Sequence, residues 1–337
     1  MIQSQYDFSM PGRIVFGWGR TKELPELIRP LGRRVHIFCG SRTLFNSPRF
    51  AALLDLLQNA GLELAETALQ MGEPTVQDVD RLAELKFRMG VSAENGDVFL
   101  GIGGGSAIDL AKAVAAMVPN WELAEKNAAP SGPSVQNFLE GVGIGLKLEK
   151  DPIPTVFLPT TAGSGAEATK NAVIASFDPP FKKSLRDVRL FARAVLIDPQ
   201  WTVFNSPEVT ACSGMDALTQ LFESFLSRKA APIPQALALQ GLSLGFHALG
   251  TAFRDPEKSR SPRKNGARRL SFRRLSRKFR SRPCSRYRTG TRNSCAAPAR
   301  KSMCAPPLPR TAPQRRRLQG TPPDARGGAV SQSFLLE

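Results

Sequence analysis

An α/β fold followed by an all-helical segment is predicted from three features of the chain. Short apolar, β-rich runs alternate with helix-period segments up to about residue 190. Two of those runs end in turns rich in glycine or hydroxyl groups. From residue 207 two long helix-period segments follow with no strand between them.

The elements follow in order. Residues 13–16 (RIVF) and 35–39 (VHIFC) read as strands. Residues 49–60 have helical spacing, with Leu53, Leu54 and Leu57 together, and residues 62–65 suit an edge strand. Residues 75–89 make an amphipathic helix, because Val76, Val79, Leu82, Leu85 and Phe87 recur close to a 3.6 period. Residues 97–102 (DVFLGI) form a buried-strand pattern that runs through glycines into a helix over 107–117. Residues 154–158 (PTVFL) form another strand. Alternation of this kind favours a largely parallel sheet. The helix-period segments 207–226 and 234–253 then begin a helical domain. The expected domains are therefore 1–190, an α/β domain; 191–258, the start of a helical domain; and 259–337, a basic tail of low order.

Charge is divided unevenly. The net charge is +17, but residues 259–337 hold 21 Lys+Arg and 2 Asp+Glu, while the first 258 hold 25 and 27. A near-neutral globular body thus precedes a very basic tail. That tail has one valine, Val330, no isoleucine and no sustained period, so it lacks the apolar groups that offset ordering entropy. The five cysteines, Cys39, Cys212, Cys284, Cys295 and Cys304, match no zinc-ribbon or CxxC spacing, and their odd number argues against a disulfide framework. No apolar run reaches the ~18 residues needed to span a bilayer. Residues 1–12 lack a basic-then-apolar leader, which points to the cytoplasm.

Three motifs carry chemistry. The first is GIGGGSAID, residues 101–109, after a strand and opening a helix. Its glycines let the backbone approach a diphosphate, and the amides of the helix N-terminus face the anion. The alternative is a tight strand–helix turn without a ligand. The second is PTTAGSGAE, residues 159–167, which puts three hydroxyls and two glycines at the carboxyl end of a strand, where α/β proteins bind ligands. A hydroxyl-rich capped turn is the alternative. The third is GMDALTQLFE, residues 214–223, where Asp216 and Gln220 lie four apart on one helix face and can present two oxygens to a cation. An aspartate near a helix start otherwise serves the helix dipole.

Together with PGRIVFG at residues 11–17 and Asp198-Pro199, these motifs resemble the iron-containing (group III) alcohol dehydrogenase family. The resemblance covers about residues 5–250. It implies a Rossmann-like N-terminal domain, an all-helical, dehydroquinate synthase-like C-terminal domain, and an active site between them. The implied reaction is hydride transfer between an alcohol or aldehyde and NAD or NADP, with a divalent metal, Fe or Zn, polarising the substrate oxygen. By position, Gly104, Gly105 and Ser106 would hold the diphosphate, with Asp109 closing the same motif. Thr160, Thr161 and Ser164 would line the cofactor, and Lys182 would approach its ribose or nicotinamide side. Asp216 matches the family's metal-binding aspartate. A homo-oligomer is also implied.

Two departures stand out. Where relatives often carry an acidic residue after the second strand, this chain has Gly40-Ser41-Arg42. Ser41 does not repel a 2′-phosphate and Arg42 could pair with one, which admits NADP. The family's metal ligands are an aspartate and three histidines, the first four residues after the aspartate; here that position is Gln220. The chain has only His36 and His247, and none beyond residue 250 where two more ligands should fall. An aspartate and a glutamine cannot hold a catalytic metal tightly, so the chain is expected to be inactive as it stands.

The tail admits three readings. Its composition is that of a high-GC gene read out of frame from about residue 256, which would make this a C-terminally disrupted family member. Alternatively it is a basic arm that neutralises nucleic-acid phosphates, though with few aromatics for stacking. In the third reading the whole chain is a cofactor-binding pseudoenzyme.

Overall fold

The computed structural model describes residues 5–130 and 132–254. In chain order the strands are β1 (Ile14–Phe16), β2 (Arg34–Cys39), β3 (Glu63–Leu69), β4 (Asp97–Gly103), β5 (Thr155–Pro159), β6 (Asn171–Phe177), β7 (Pro180–Arg186) and β8 (Ala194–Ile197). The helices are α1 (Leu24–Ile28), α2 (Arg42–Phe45), α3 (Pro48–Asn59), α4 (Val76–Arg88), α5 (Gly105–Met117), α6 (Trp121–Lys126), α7 (Pro207–Leu226) and α8 (Pro232–Arg254). Six strands form one sheet in the order β1-β8-β5-β4-β2-β3. All of its pairings are parallel. β6 and β7 form a separate antiparallel hairpin.

The sheet is covered on both faces, as a parallel sheet requires. Successive side chains point to opposite faces. Val35, Ile37, Val98, Leu100, Ile102, Val156 and Leu158 therefore pack with Leu24, Ile28, Phe50, Leu53 and Leu57 from α1 and α3. Phe38, Phe99 and Phe157 face the other way, onto α4, α5 and Trp121. Each side chain of this size contributes roughly 1.5–3 kcal/mol when fully buried.

Local chemistry sets the helix boundaries. Thr75 and Asp78 make a reciprocal capping box at the start of α4, worth about 1 kcal/mol. Ser41 and Ser47 cap α2 and α3. α7 opens with Ser206 as cap and Pro207 in its first turn.

Several expectations need correction. The boundary expected at residue 190 falls too early, because β8 is an inner strand of the sheet, paired with both β1 and β5. The helical segment starts at Pro207 instead. The β6–β7 hairpin was not anticipated. Its second strand, PFKKSLR, is mostly exposed and polar, and carries no apolar alternation. The expected edge strand at 62–65 is β3, at the sheet edge but longer. The expectation that no apolar run is long enough to span a membrane also fails, on length and composition. α8 is 23 residues long with mean hydropathy 1.2 over an 18-residue window. Gln240, Ser243 and Thr251 within it are uncharged, and Arg254 stands at its end, so the apolar run is interrupted without losing its hydropathy. Core helices of soluble proteins meet the same criterion. The expected tail, 259–337, and the last four residues of the expected helical domain lie outside the described residues.

Candidate functional site

Strands β2, β4 and β5 end level with one another, since Cys39 pairs with Ile102 and Gly103 with Pro159. Their carboxyl ends therefore deliver three segments to one sheet edge: Gly40-Ser41, the Gly103–Ser106 turn and the Thr160–Ser164 loop. The Gly40 amide donates to the Ile102 carbonyl at 2.9 Å, and the Thr160 amide to the Gly103 carbonyl at 2.9 Å. This is the edge where ligands bind in open α/β sheets.

The glycine turn is steric in origin. Gly103 has φ +154°, and a β-carbon there would stand 2.9 Å from Gly40 Cα. A β-carbon at Gly104 would lie 3.2 Å from Thr161 Oγ1, and one at Gly105 would lie 2.6 Å from Ser164 Oγ. The two sequence motifs thus meet face to face, with only backbone on one side. Gly104 caps α5 without a side-chain hydrogen bond, so among the described residues no capping side chain takes the first amides of the helix. Unclaimed amides beside hydroxyls fit a diphosphate.

Ser41 lies beside this turn. Its hydroxyl oxygen accepts from the Leu44 amide at 3.1 Å. Arg42, the first residue of α2, is exposed. Behind the turn, burial pushes the Asp109 carboxyl up to about 6, against the pull of Lys112, the Val173 amide and Lys182. Lys182 stands on β7, where its ammonium bonds Glu73. The cofactor residues expected from sequence thus fall into two groups. Ser41, Gly104, Gly105, Ser106, Thr160, Thr161 and Ser164 lie on the converging strand ends, while Asp109 and Lys182 are linked through charge behind them.

Sequence reasoning passed over Lys112. It is fully buried on α5 and donates to the Ala166 carbonyl, the Thr169 carbonyl (2.7 Å), Thr169 Oγ1 (2.9 Å) and the Asn171 carbonyl (3.1 Å). Burial lowers its pKa to about 8, opposed by the charges of Asp109 and Glu167. Burial also raises the Glu167 carboxyl. The available signal was a lysine set inside an otherwise apolar helix, LAKAVAAM.

The expected metal pair is brought together, but its members bond each other. Gln220 Nε2 donates to Asp216 Oδ2 at 2.9 Å on α7, with Asp216 exposed. Among the described residues no three His, Cys, Asp or Glu side chains cluster to hold a metal. Both histidines of the chain are engaged elsewhere. His36 is buried between Asp97 (2.7 Å) and Lys86 (3.2 Å). His247 Nδ1 lies 2.9 Å from the Ser243 carbonyl. The donor set does not fit a catalytic metal, which needs about three protein ligands. Next to the hydroxyl loop, a cavity of about 300 Å³ lies between α7 and α8, bounded by Ala162, Ser213, Gly214, Leu218, Leu221 and Leu249.

Residues 11–199 match the family profile described as iron-containing alcohol dehydrogenase. The choline dehydrogenase of Bacillus subtilis (strain 168) is 28% identical over 257 residues, covering 76% of this chain and 60% of that one. The NAD-dependent methanol dehydrogenase of Bacillus methanolicus is 27% identical over 238 residues, covering 71% and 57%. Among solved structures, sulfoacetaldehyde reductase from Bifidobacterium kashiwanohense in complex with NAD+ superposes with a TM-score of 0.65 at 25% identity, covering 77% of this chain and 63% of that one. The chain therefore spans about 60% of the length of the curated relatives it matches.

Proposed function

Because the chain belongs to the iron-containing alcohol dehydrogenase family, we propose that it binds NAD or NADP at the carboxyl edge of its sheet as an oxidoreductase of alcohol and aldehyde substrates, in a form whose metal-assisted turnover has been lost. The observation that carries the cofactor half is the opposition of Gly104 and Gly105 to Thr161 and Ser164. In this reading the first amides of α5 take the diphosphate, assisted by Ser106 and by the hydroxyls of Thr160, Thr161 and Ser164. When bound, the nicotinamide supplies the hydride acceptor or donor. Ser41 and Arg42 stand at the end of β2, where the adenine ribose is held in sheets of this kind, and Arg42 favours a 2′-phosphate.

The absence of turnover rests on the donor set. Asp216 is partnered by Gln220, and neither histidine joins them. The cavity beside Ala162 has a largely apolar lining, which supports an organic alcohol or aldehyde as the second ligand. A pseudoenzyme that retains cofactor binding agrees with the same observations. The domain division that goes with this reading is a sheet domain to about Trp201 and helices from Pro207.

The test pairs two assays on the full chain. Isothermal titration with NADH and NADPH should show saturable binding. A turnover assay with short aldehydes and added Fe(II) or Zn(II) should stay at background. Robust metal-dependent turnover would refute the ligand argument while leaving the cofactor site intact.

A further inference from the structure

We propose that Lys112 is a positioning residue for the nucleotide site: its ammonium clamps the Ala166–Asn171 segment onto α5 and so holds the Thr160–Ser164 loop against the glycine turn. The proposal rests on the NAD(P) reading above.

Lys112 is seven residues beyond Gly105 on α5. Seven residues are close to two full turns, so both lie on one face of the helix, roughly 10 Å apart. Gly105 meets Ser164, and Lys112 meets the carbonyls of Ala166, Thr169 and Asn171. One helix face therefore tracks one loop at both ends. At the amino-terminal end only backbone is present, and a β-carbon there would displace the Ser164 hydroxyl. At the other end the contact is a charge.

An ammonium has three protons, and four oxygens converge on it, so the cluster is fully subscribed. Packing alone does not call for a cation here. The neighbours of Lys112 on α5, Ala111 and Ala113, are fully buried, as is Phe157 beneath it. Three main-chain carbonyls drawn to one point repel one another unless a donor lies between them. Removing the donor leaves the half-buried Thr169 carbonyl without its cation and the Ala166 and Asn171 carbonyls with only Thr169 as donor, which loosens the loop. The rest of the loop is held by the Thr160 amide on the Gly103 carbonyl, by Asn205 Nδ2 donating to the Thr160 carbonyl at 2.9 Å, and by the close approach of Gly163 to Ser213.

The charged groups around Lys112 are Asp109 on α5 and Glu167 in the loop, with Lys182 of β7 acting on Asp109. Burial sets the Lys112 ammonium to lose its proton near pH 8. The neutral amine offers two protons instead of three and no charge, so the clamp weakens above that pH.

The experiment is isothermal titration of the full chain with NADH and NADPH from pH 7 to 9.5, for the wild type, Lys112→Met and Lys86→Met. Lys86 is also buried, but it bonds His36 on β2 and touches none of the loop. The expected result is a Kd raised about tenfold in K112M at pH 7, with K86M within about twofold of the wild type even if its Tm falls as far. The wild-type and K86M affinities should weaken through pH 8, and the K112M affinity should not. Hydrogen exchange should show faster amides over residues 163–169 in K112M only. Unchanged affinity in K112M, equal losses in K112M and K86M, or a flat wild-type pH profile would each overturn the proposal. The last of these needs no variant to fold. A wild type that binds neither nucleotide would overturn the cofactor reading itself, and this role with it.

Discussion

Gly105 and Ser164 stand in direct steric opposition: a β-carbon on Gly105 would lie 2.6 Å from Ser164 Oγ. Gly105 opens α5, where alanine is intrinsically the better helix former by about 1 kcal/mol. Gly105→Ala should therefore leave Tm unchanged or raised, since the serine hydroxyl can rotate away. The displaced hydroxyl should weaken NADH binding about tenfold. The double variant with Ser164→Gly should bind no better than Gly105→Ala, because it removes the hydroxyl outright. Titration and thermal unfolding of both variants check this split.

Gly103 makes the opposite prediction. A β-carbon there would meet backbone, Gly40 Cα at 2.9 Å, and φ is +154°. Ala107 Cβ stands at 2.9 Å as well, and neither atom can rotate aside. Gly103→Ala should cost about 1–3 kcal/mol of stability, read as a lower urea midpoint at unchanged slope.

At the other end of the strands, His36 Nε2 donates to Asp97 Oδ1 at 2.7 Å and Nδ1 accepts from Lys86 Nζ at 3.2 Å. That arrangement requires a neutral ring. Burial and the Lys86 charge lower the His36 pKa, against the pull of Asp97. Burial would raise the Asp97 carboxyl, but Arg34, the Ser92 amide and His36 together hold it below its usual value. A folded pKa below the unfolded value of 6.5 means that the His36 contribution is complete above that pH. It is lost as pH falls through the folded value, and the Asp97 contribution goes at still lower pH. Urea unfolding from pH 7.5 to 4.5 should show falling stability. The fall should be shallower in Lys86→Met, where a protonated ring no longer faces an ammonium.

Asp216 is exposed and, among the described residues, bonds Gln220 of its own helix. Asp216→Ala should change stability by less than about 0.5 kcal/mol and leave NADH affinity unaltered. Added Zn(II) or Fe(II) should not raise the Tm of either form. A metal-dependent rise confined to the wild type would mean that the site holds metal after all.

Arg42 gives the specificity test. Arg42→Ala should weaken NADPH binding about fivefold and leave NADH binding within about twofold. Equal changes for both nucleotides would remove Arg42 from the site.

Much of this was legible in the sequence because the relevant signals are local. Strands β2, β4 and β5 announce themselves as apolar runs, and their carboxyl ends carry the glycines and hydroxyls. The Asp216–Gln220 pair follows from helical spacing alone. What escaped depends on long-range packing. β8 is only AVLI and was read as a boundary, because nothing local shows that β1 and β5 flank it. The β6–β7 hairpin has a mostly exposed second strand without alternation. Lys112 is locally just one charge in an apolar helix. Its meaning comes from carbonyls 54 to 59 residues away. The reverse holds for Lys182, which the family resemblance assigned to the cofactor. In the fold it pairs with Glu73, across 109 residues of sequence.

The most direct test of the central claim is isothermal titration of the wild-type chain with NADH and NADPH at pH 7. The account predicts saturable binding of one nucleotide per chain, with a Kd on the order of micromolar, abolished or severely weakened by bulky substitution at Gly104. No heat of binding from either nucleotide at millimolar concentration, with the chain shown to be folded, would contradict it.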